Sequence, residues 1–212
     1  MQLSARDTLS PFAARAFGLA LIIAPLLLLA STIAYITEGE KINHGVLGGT
    51  IGVWSVFAIG FAMVGLFRML EPHAPRASII LTLMIVMVVA GGTAFNIQGI
   101  FVALYDVDFM NDTAITGSDT IAILAFLPWG LFMPITMIAT GVVLWRTRAV
   151  ARPVAILFAA AGILFVASRP EQINVLAIFS DLVFLAAMAP LGWAVLNEGR
   201  APQSESVPEP VA

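Results

Sequence analysis

The chain has 212 residues, of which 60% are hydrophobic and only 11% charged, against roughly 45–50% and about 25% in soluble domains. With a mean hydropathy of +0.98 it reads as an integral membrane protein. Its formal net charge of −3 gives no basic footprint for nucleic acid, and the lack of cysteine excludes disulfides, thiolate metal sites and cysteine nucleophiles.

A bilayer core needs about 20 apolar residues per helix. Six stretches meet that demand: 13–37, 45–70, 77–105, 119–147, 150–168 and 172–197. The expected fold class is an all-α integral membrane protein, a six-transmembrane-helix bundle over residues 1–198. The tail "APQSESVPEPVA", within 199–212, lacks any apolar period and is expected to be a disordered cytoplasmic end.

The first stretch holds an apolar run from Phe17 to Ile36. A signal-peptide core is only about 7–15 residues, so a retained first helix is expected. The second carries Gly45, Gly48, Gly52, Ser55, Ala58, Ala62 and Gly65 as one stripe of small residues. Helices associate in lipid by close backbone approach, which predicts a central helix with a neighbour pressed along its length. The third is the longest and is expected to tilt or to project past the headgroups. On it Gly92, Asn96 and Gly99 share a face. The fourth contains "LPWGLFMP", where Pro128 and Pro134 flank Gly130. Each proline removes a helical donor, which predicts a bent or locally unwound helix. The fifth is the shortest, with a smaller stripe of Ala151, Ala155, Ala159 and Gly162.

The sixth stretch poses the functional question. "NVLAIFSDLVFLAAMAPLGWAVL" is the composition of a lipid-immersed helix, interrupted by Asp181. A carboxylate near the centre of a bilayer helix costs about 2.5–3.5 kcal/mol on insertion scales. Asn174, Ile178, Asp181, Leu185 and Met188 fall on one face.

Orientation follows from the basic residues. Arg6, Arg15, Arg68, Arg76, Arg146, Arg148, Arg152 and Arg200 fall on one side of the six spans, eight of the ten; Lys41 and Arg169 fall on the other. The arginine-rich side is expected to be cytoplasmic, with both termini inside, in a bacterial inner or plasma membrane. The acidic loop with Asp106, Asp108, Asp112 and Asp119 then faces out.

Counted from the outer ends at 1.5 Å per residue, Asp181, Trp129, Trp54, Ser55 and Asn96 come out at about 13–15 Å deep. They are the candidate ligand-binding residues, with Pro128 beside them. Arg169, at the outer end of the fifth helix, is a counter-ion that can snorkel to Asp181. Ser31, Thr32 and Thr50 add hydroxyls above this layer. The polarity resembles an outward-facing, blind-ended vestibule. Two readings of Asp181 stand side by side: a carboxylate bonded to Asn96, Ser55 or a free carbonyl that locks helices together, or a ligand or proton site.

A retinal protein needs a lysine within a helix, whereas Lys41 is in a loop. His44 and His73 lie one span apart, about 30 Å, too far to bracket a haem. Only one carboxylate, Asp181, is expected within the membrane, which argues against an aspartyl intramembrane protease, and ligand clusters for a metal are not expected. Phe17–Ile36 aligned with Phe126–Trp145 pairs Phe17 with Phe126, Pro25 with Pro134 and Ala30 with Ala139. The two helices would run in opposite directions, as in transporter inverted repeats.

The segments "RAFGLALIIAPLLLLAS", "GVWSVFAIGFAMVGLFRML" and "TGVVLWRTRAVARPVAILFAAAGILF" resemble a broad set of uncharacterised bacterial multi-pass membrane proteins. That resemblance implies a compact helical bundle and carries no activity or site residues. The functional expectation is a non-enzymatic protein, cofactor unknown, binding a small or lipidic ligand or a membrane partner through its outer half, with membrane lipid around it and no nucleic acid. Two alternatives stand beside it: a small proton-coupled transporter using Asp181, and a structural accessory subunit of a larger membrane complex.

Overall fold

The computed structural model describes residues 8–39, 42–105, 119–170 and 172–198, with 119–129 described by backbone alone. The described chain is all helical: α1 Pro11–Gly39, α2 Val46–Leu70, α3 Pro75–Tyr105, α4 Asp119–Thr147, α5 Arg152–Ser168 and α6 Asn174–Glu198. In lipid each backbone N–H needs a partner within its own segment, so apolar runs of this length become helices. Five of the six are long and apolar enough to cross a membrane, α4 counting from Gly130. The exception, α5, has 17 residues, about 25 Å of helix against an apolar core about 30 Å thick.

α4 departs from expectation. It runs as unbroken α-helix from Asp119 to Thr147, through both prolines and with no unwound turn. Each proline withdraws one donor, and the remaining ladder holds the helix on either side. The proposed tail, 199–212, lies outside the described residues.

The helices form a ring in chain order. Each packs on its neighbours in sequence, and α6 closes back onto α1. The centre is filled by large apolar side chains, among them Ile59, Met63, Leu66, Ile85, Met137 and Met188. Phe158 of α5 meets Phe184 of α6 edge to face, with ring centroids 5.9 Å apart. In contrast Ile79, Ile80, Leu83 and Val86 of α3 are exposed, as expected of side chains facing acyl chains.

Small residues set the helix spacing. The α2 stripe serves two neighbours rather than one: side chains there would run into Tyr35 at Gly48, Phe17 at Gly65, and both Asn96 and Ser31 at Gly52. Tyr35, Phe17 and Ser31 belong to α1 and Asn96 to α3, so α2 is wedged between them. At the α1–α6 seam Gly18 and Gly192 face each other, and a Cβ on either would press on the other's carbonyl, at 3.1 and 2.6 Å. On α5 the short stripe meets α4: Gly162 lies over the Pro134 carbonyl, and Ala155 and Ala159 lie against Gly141.

Serines add polar stitches between neighbours. Ser31 donates to the Gly48 carbonyl (2.7 Å), Ser78 to that of Phe67 (2.7 Å) and Ser180 to that of Ala161 (3.2 Å). They join α1 to α2, α3 to α2 and α6 to α5. Each satisfies a buried hydroxyl and draws two backbones together.

A Gly52→Val substitution puts methyl groups where Asn96 and Ser31 already sit. Thermal unfolding in detergent should show a loss of about 1–3 kcal/mol, whereas Trp54→Leu, one turn-fraction away on the exposed face, should stay within about 0.5 kcal/mol of the parent.

Candidate functional site

Asp181 lies on the buried face of α6 with Ala177, Phe184 and Met188, and is only 1% exposed. Its charge is met by two groups from two other elements. The Thr32 hydroxyl of α1 donates to Oδ2 at 2.5 Å. The Arg169 Nη2 donates to Oδ1 at 2.8 Å and to Oδ2 at 3.0 Å. The same nitrogen reaches the Thr32 oxygen at 3.1 Å. Thr32 therefore accepts from the guanidinium and donates to the carboxylate, which closes a three-membered polar junction.

Arg169 can reach this depth because of how α5 ends. It is the C-cap residue, its N–H bonded to the Phe165 carbonyl, and the following turn is fixed by Ile173 N–H to the Ser168 carbonyl at 3.0 Å. From there the guanidinium lies over the Phe165 ring, 4.8 Å from its centroid. The short α5 thus ends level with the interior of its longer neighbours. Its side chain is 16% exposed, so the pair is sealed on the Asp181 side and partly open on the other. An ion pair of this kind is charge-assisted, and usually two-pronged. Here, among the described residues, one nitrogen makes every hydrogen bond and the buried Nε meets no acceptor.

A second polar cluster lies on the other side of α1. Tyr35 donates from its hydroxyl to Asn96 Oδ1 at 3.0 Å, and Asn96 Nδ2 donates to the Gly92 carbonyl of its own helix at 2.7 Å. Ser55 donates to the Gly52 carbonyl, also in its own helix, at 2.8 Å. Asn96 and Ser55 are thereby satisfied without Asp181, contrary to the expected pairing. The ring order explains why: α1 stands between α6 and the α2–α3 pair. Its Thr32 turns towards α6, while Ser31 and Tyr35 turn towards α2 and α3.

Of the residues singled out in sequence, Asp181 and Arg169 are brought together, and Asn96 and Ser55 lie in the neighbouring cluster. Trp54 is 66% exposed on the outside of the bundle and joins neither. The side chain of Trp129, and that of Pro128, lies outside the described residues. Sequence reasoning passed over Thr32 and Tyr35 as the partners. The signal was present in "STIAY": counted back from Gly39, Thr32 lies about 10 Å in, the same distance as Asp181 from the start of α6.

The end of the bundle bearing these groups has one more carboxylate with a structural task. Glu38, near the end of α1, accepts from the N–H groups of Leu47 at 2.8 Å and Gly48 at 3.4 Å. It caps α2 in place of its own N-cap residue, Gly45, which has no side chain to do so. A shallow groove lined by Phe57, Gly60, Val64, Val86, Val89 and Thr93 runs between α2 and α3. It is apolar and shares no lining residue with the Asp181 junction.

Removing one partner of a buried ion pair strands the other charge. Arg169→Ala and Asp181→Ala should each destabilise by about 3–5 kcal/mol. The double variant should lose less than the sum of the two, as a double-mutant cycle on unfolding in detergent will read. No known family model, curated protein or solved structure matches this chain.

Proposed function

We propose that the chain is a non-enzymatic multi-pass membrane protein that binds a small or lipidic ligand, or a membrane partner, through the polar half of its bundle. Asp181 and Arg169 form the centre of that site. The observation that supports this reading is the asymmetry of the ion pair. Asp181 is held by Arg169 and Thr32, while among the described residues the guanidinium donates through Nη2 alone and its buried Nε meets no acceptor. A purely structural latch gains from using the whole fork of the arginine on the carboxylate. An arginine engaged through one nitrogen retains capacity for a second acceptor.

In this reading six helices span the cell membrane, the Asp181 end faces out and both termini face the cytoplasm. The asymmetry of basic residues supports that orientation. In a chain without native cysteine, Gln172→Cys should react with an impermeant thiol reagent on intact cells and Glu71→Cys only after lysis. The reverse labelling pattern would invert the orientation.

The binding role is tested by mass spectrometry of what copurifies with the full chain. A discrete species retained by the parent and lost from Asp181→Asn supports the site. Retention unchanged in that variant, or isolation only with a fixed set of partner chains, replaces it with the accessory role. Proton-coupled transport is the second reading, favoured by one observation: a buried carboxylate, Asp181, joins α5 and α6 through its ion pair with Arg169. A proton flux into proteoliposomes, abolished in Asp181→Asn, would establish it over simple binding.

A further inference from the structure

At the end of the bundle opposite Asp181, the α4–α5 turn reads "LWRTRAVARP". Arg146, Arg148 and Arg152 are all exposed, and among the described residues no carboxylate pairs with any of them. The turn that carries them is rigidly docked, because Leu144 and Ala149 are buried in the core at 0% and 1% exposure. Arg148 holds a left-handed backbone, φ 53°. Arg152 is the first residue of α5, where the helix dipole adds further positive potential. The comparable α2–α3 turn differs, since there Arg68 and Arg76 have Glu71 between them in sequence. Three like charges fixed on one turn repel one another unless an anion stands among them.

The surface beside this turn indicates which anion. Arg152 lies over the Trp145 ring, 5.3 Å from its centroid. That contact puts Trp145 and Arg152 on one face. Val142 lies one turn below Trp145 and Ile156 one turn below Arg152, exposed by 42% and 53%. A cationic cluster therefore sits directly above an exposed apolar strip, with an indole at the boundary where amphipathic rings settle in membranes. A free anion would have no use for the strip, whereas a phospholipid presents its phosphate and its acyl chain in that order. We infer that the α4–α5 turn is a binding site for an anionic phospholipid, with Arg146, Arg148 and Arg152 on the headgroup and Trp145, Val142 and Ile156 along the acyl chain.

The test is native mass spectrometry of the full chain in a mild detergent, offered phosphatidylglycerol and phosphatidylcholine of identical acyl chains. The parent should retain phosphatidylglycerol at least about tenfold better, and a variant carrying Arg146→Gln, Arg148→Gln and Arg152→Gln should lose that preference. Should this variant fail to fold, Arg152→Gln alone must still lower the preference, and Arg152→Lys must largely restore it. Trp145→Leu, with every charge kept, should weaken retention of both lipids. Equal retention of the two lipids by the parent, a preference unchanged by the arginine substitutions, or displacement of phosphatidylglycerol by millimolar inorganic phosphate would each overturn the assignment.

Discussion

The ring of helices depends on its closure, and Asp181 supplies a polar tie at that closure. Five of the six packed pairs join helices adjacent in sequence, which their connections keep near one another in any case. The sixth pair, α1 with α6, has no such help. Lipid gives it no hydrophobic driving force, since acyl chains solvate leucine as well as a neighbouring helix does. The seam is held by shape at one end, where Gly18 and Gly192 bring backbones together, and by charge at the other, where Thr32 and Arg169 receive Asp181. The carboxylate that looks most out of place in the sequence supplies the polar tie between the two ends of the chain, through Thr32.

The same polar economy governs the rest of the bundle. α1 carries Ser31, Thr32 and Tyr35 within five positions, and distributes them to both its neighbours. This makes α1 the helix that joins the Asp181 junction to the Asn96 cluster. α2 contributes mostly by having no side chains in the way: Gly48 and Gly52 admit Tyr35, Ser31 and Asn96 into places that any larger residue would fill. Polar partners and missing side chains are thus two halves of one arrangement, since a hydrogen bond between helices needs backbones close enough to allow it.

Much of this was legible beforehand, and the exceptions have physical reasons. Helix number and limits follow from apolar length, because the backbone in lipid has few alternatives. The small-residue stripes on α2 and α5 were equally plain. The pairing of Arg169 with Asp181, named from the sequence, is present in the structure. What the pattern did not reveal was which residues at a shared depth face each other. Asn96 and Asp181 were expected in the same layer, yet they bond to different partners, with α1 between them. A linear sequence carries depth and helix face, but the rotation of each helix about its axis is decided by packing with its neighbours. For that reason Trp54 turned out to face away from the core. The unbroken α4 has a similar lesson. Proline marks where a ladder loses a rung, and whether the helix opens there depends on what surrounds it.

The ring order has a consequence for how the molecule is made. Synthesis delivers the helices one at a time, and each new one finds its partner already waiting in the helix before it. Contacts are therefore local almost throughout, which is the condition for rapid, stepwise assembly. Only α6 must travel back to the beginning. Until it arrives, Thr32 and the end of α5 face a gap, and Asp181 enters the membrane as a charge in search of its counterpart. A chain that stops before α6, or inserts it wrongly, keeps polar groups open to lipid, the kind of exposure by which a cell distinguishes an unfinished membrane protein from a finished one.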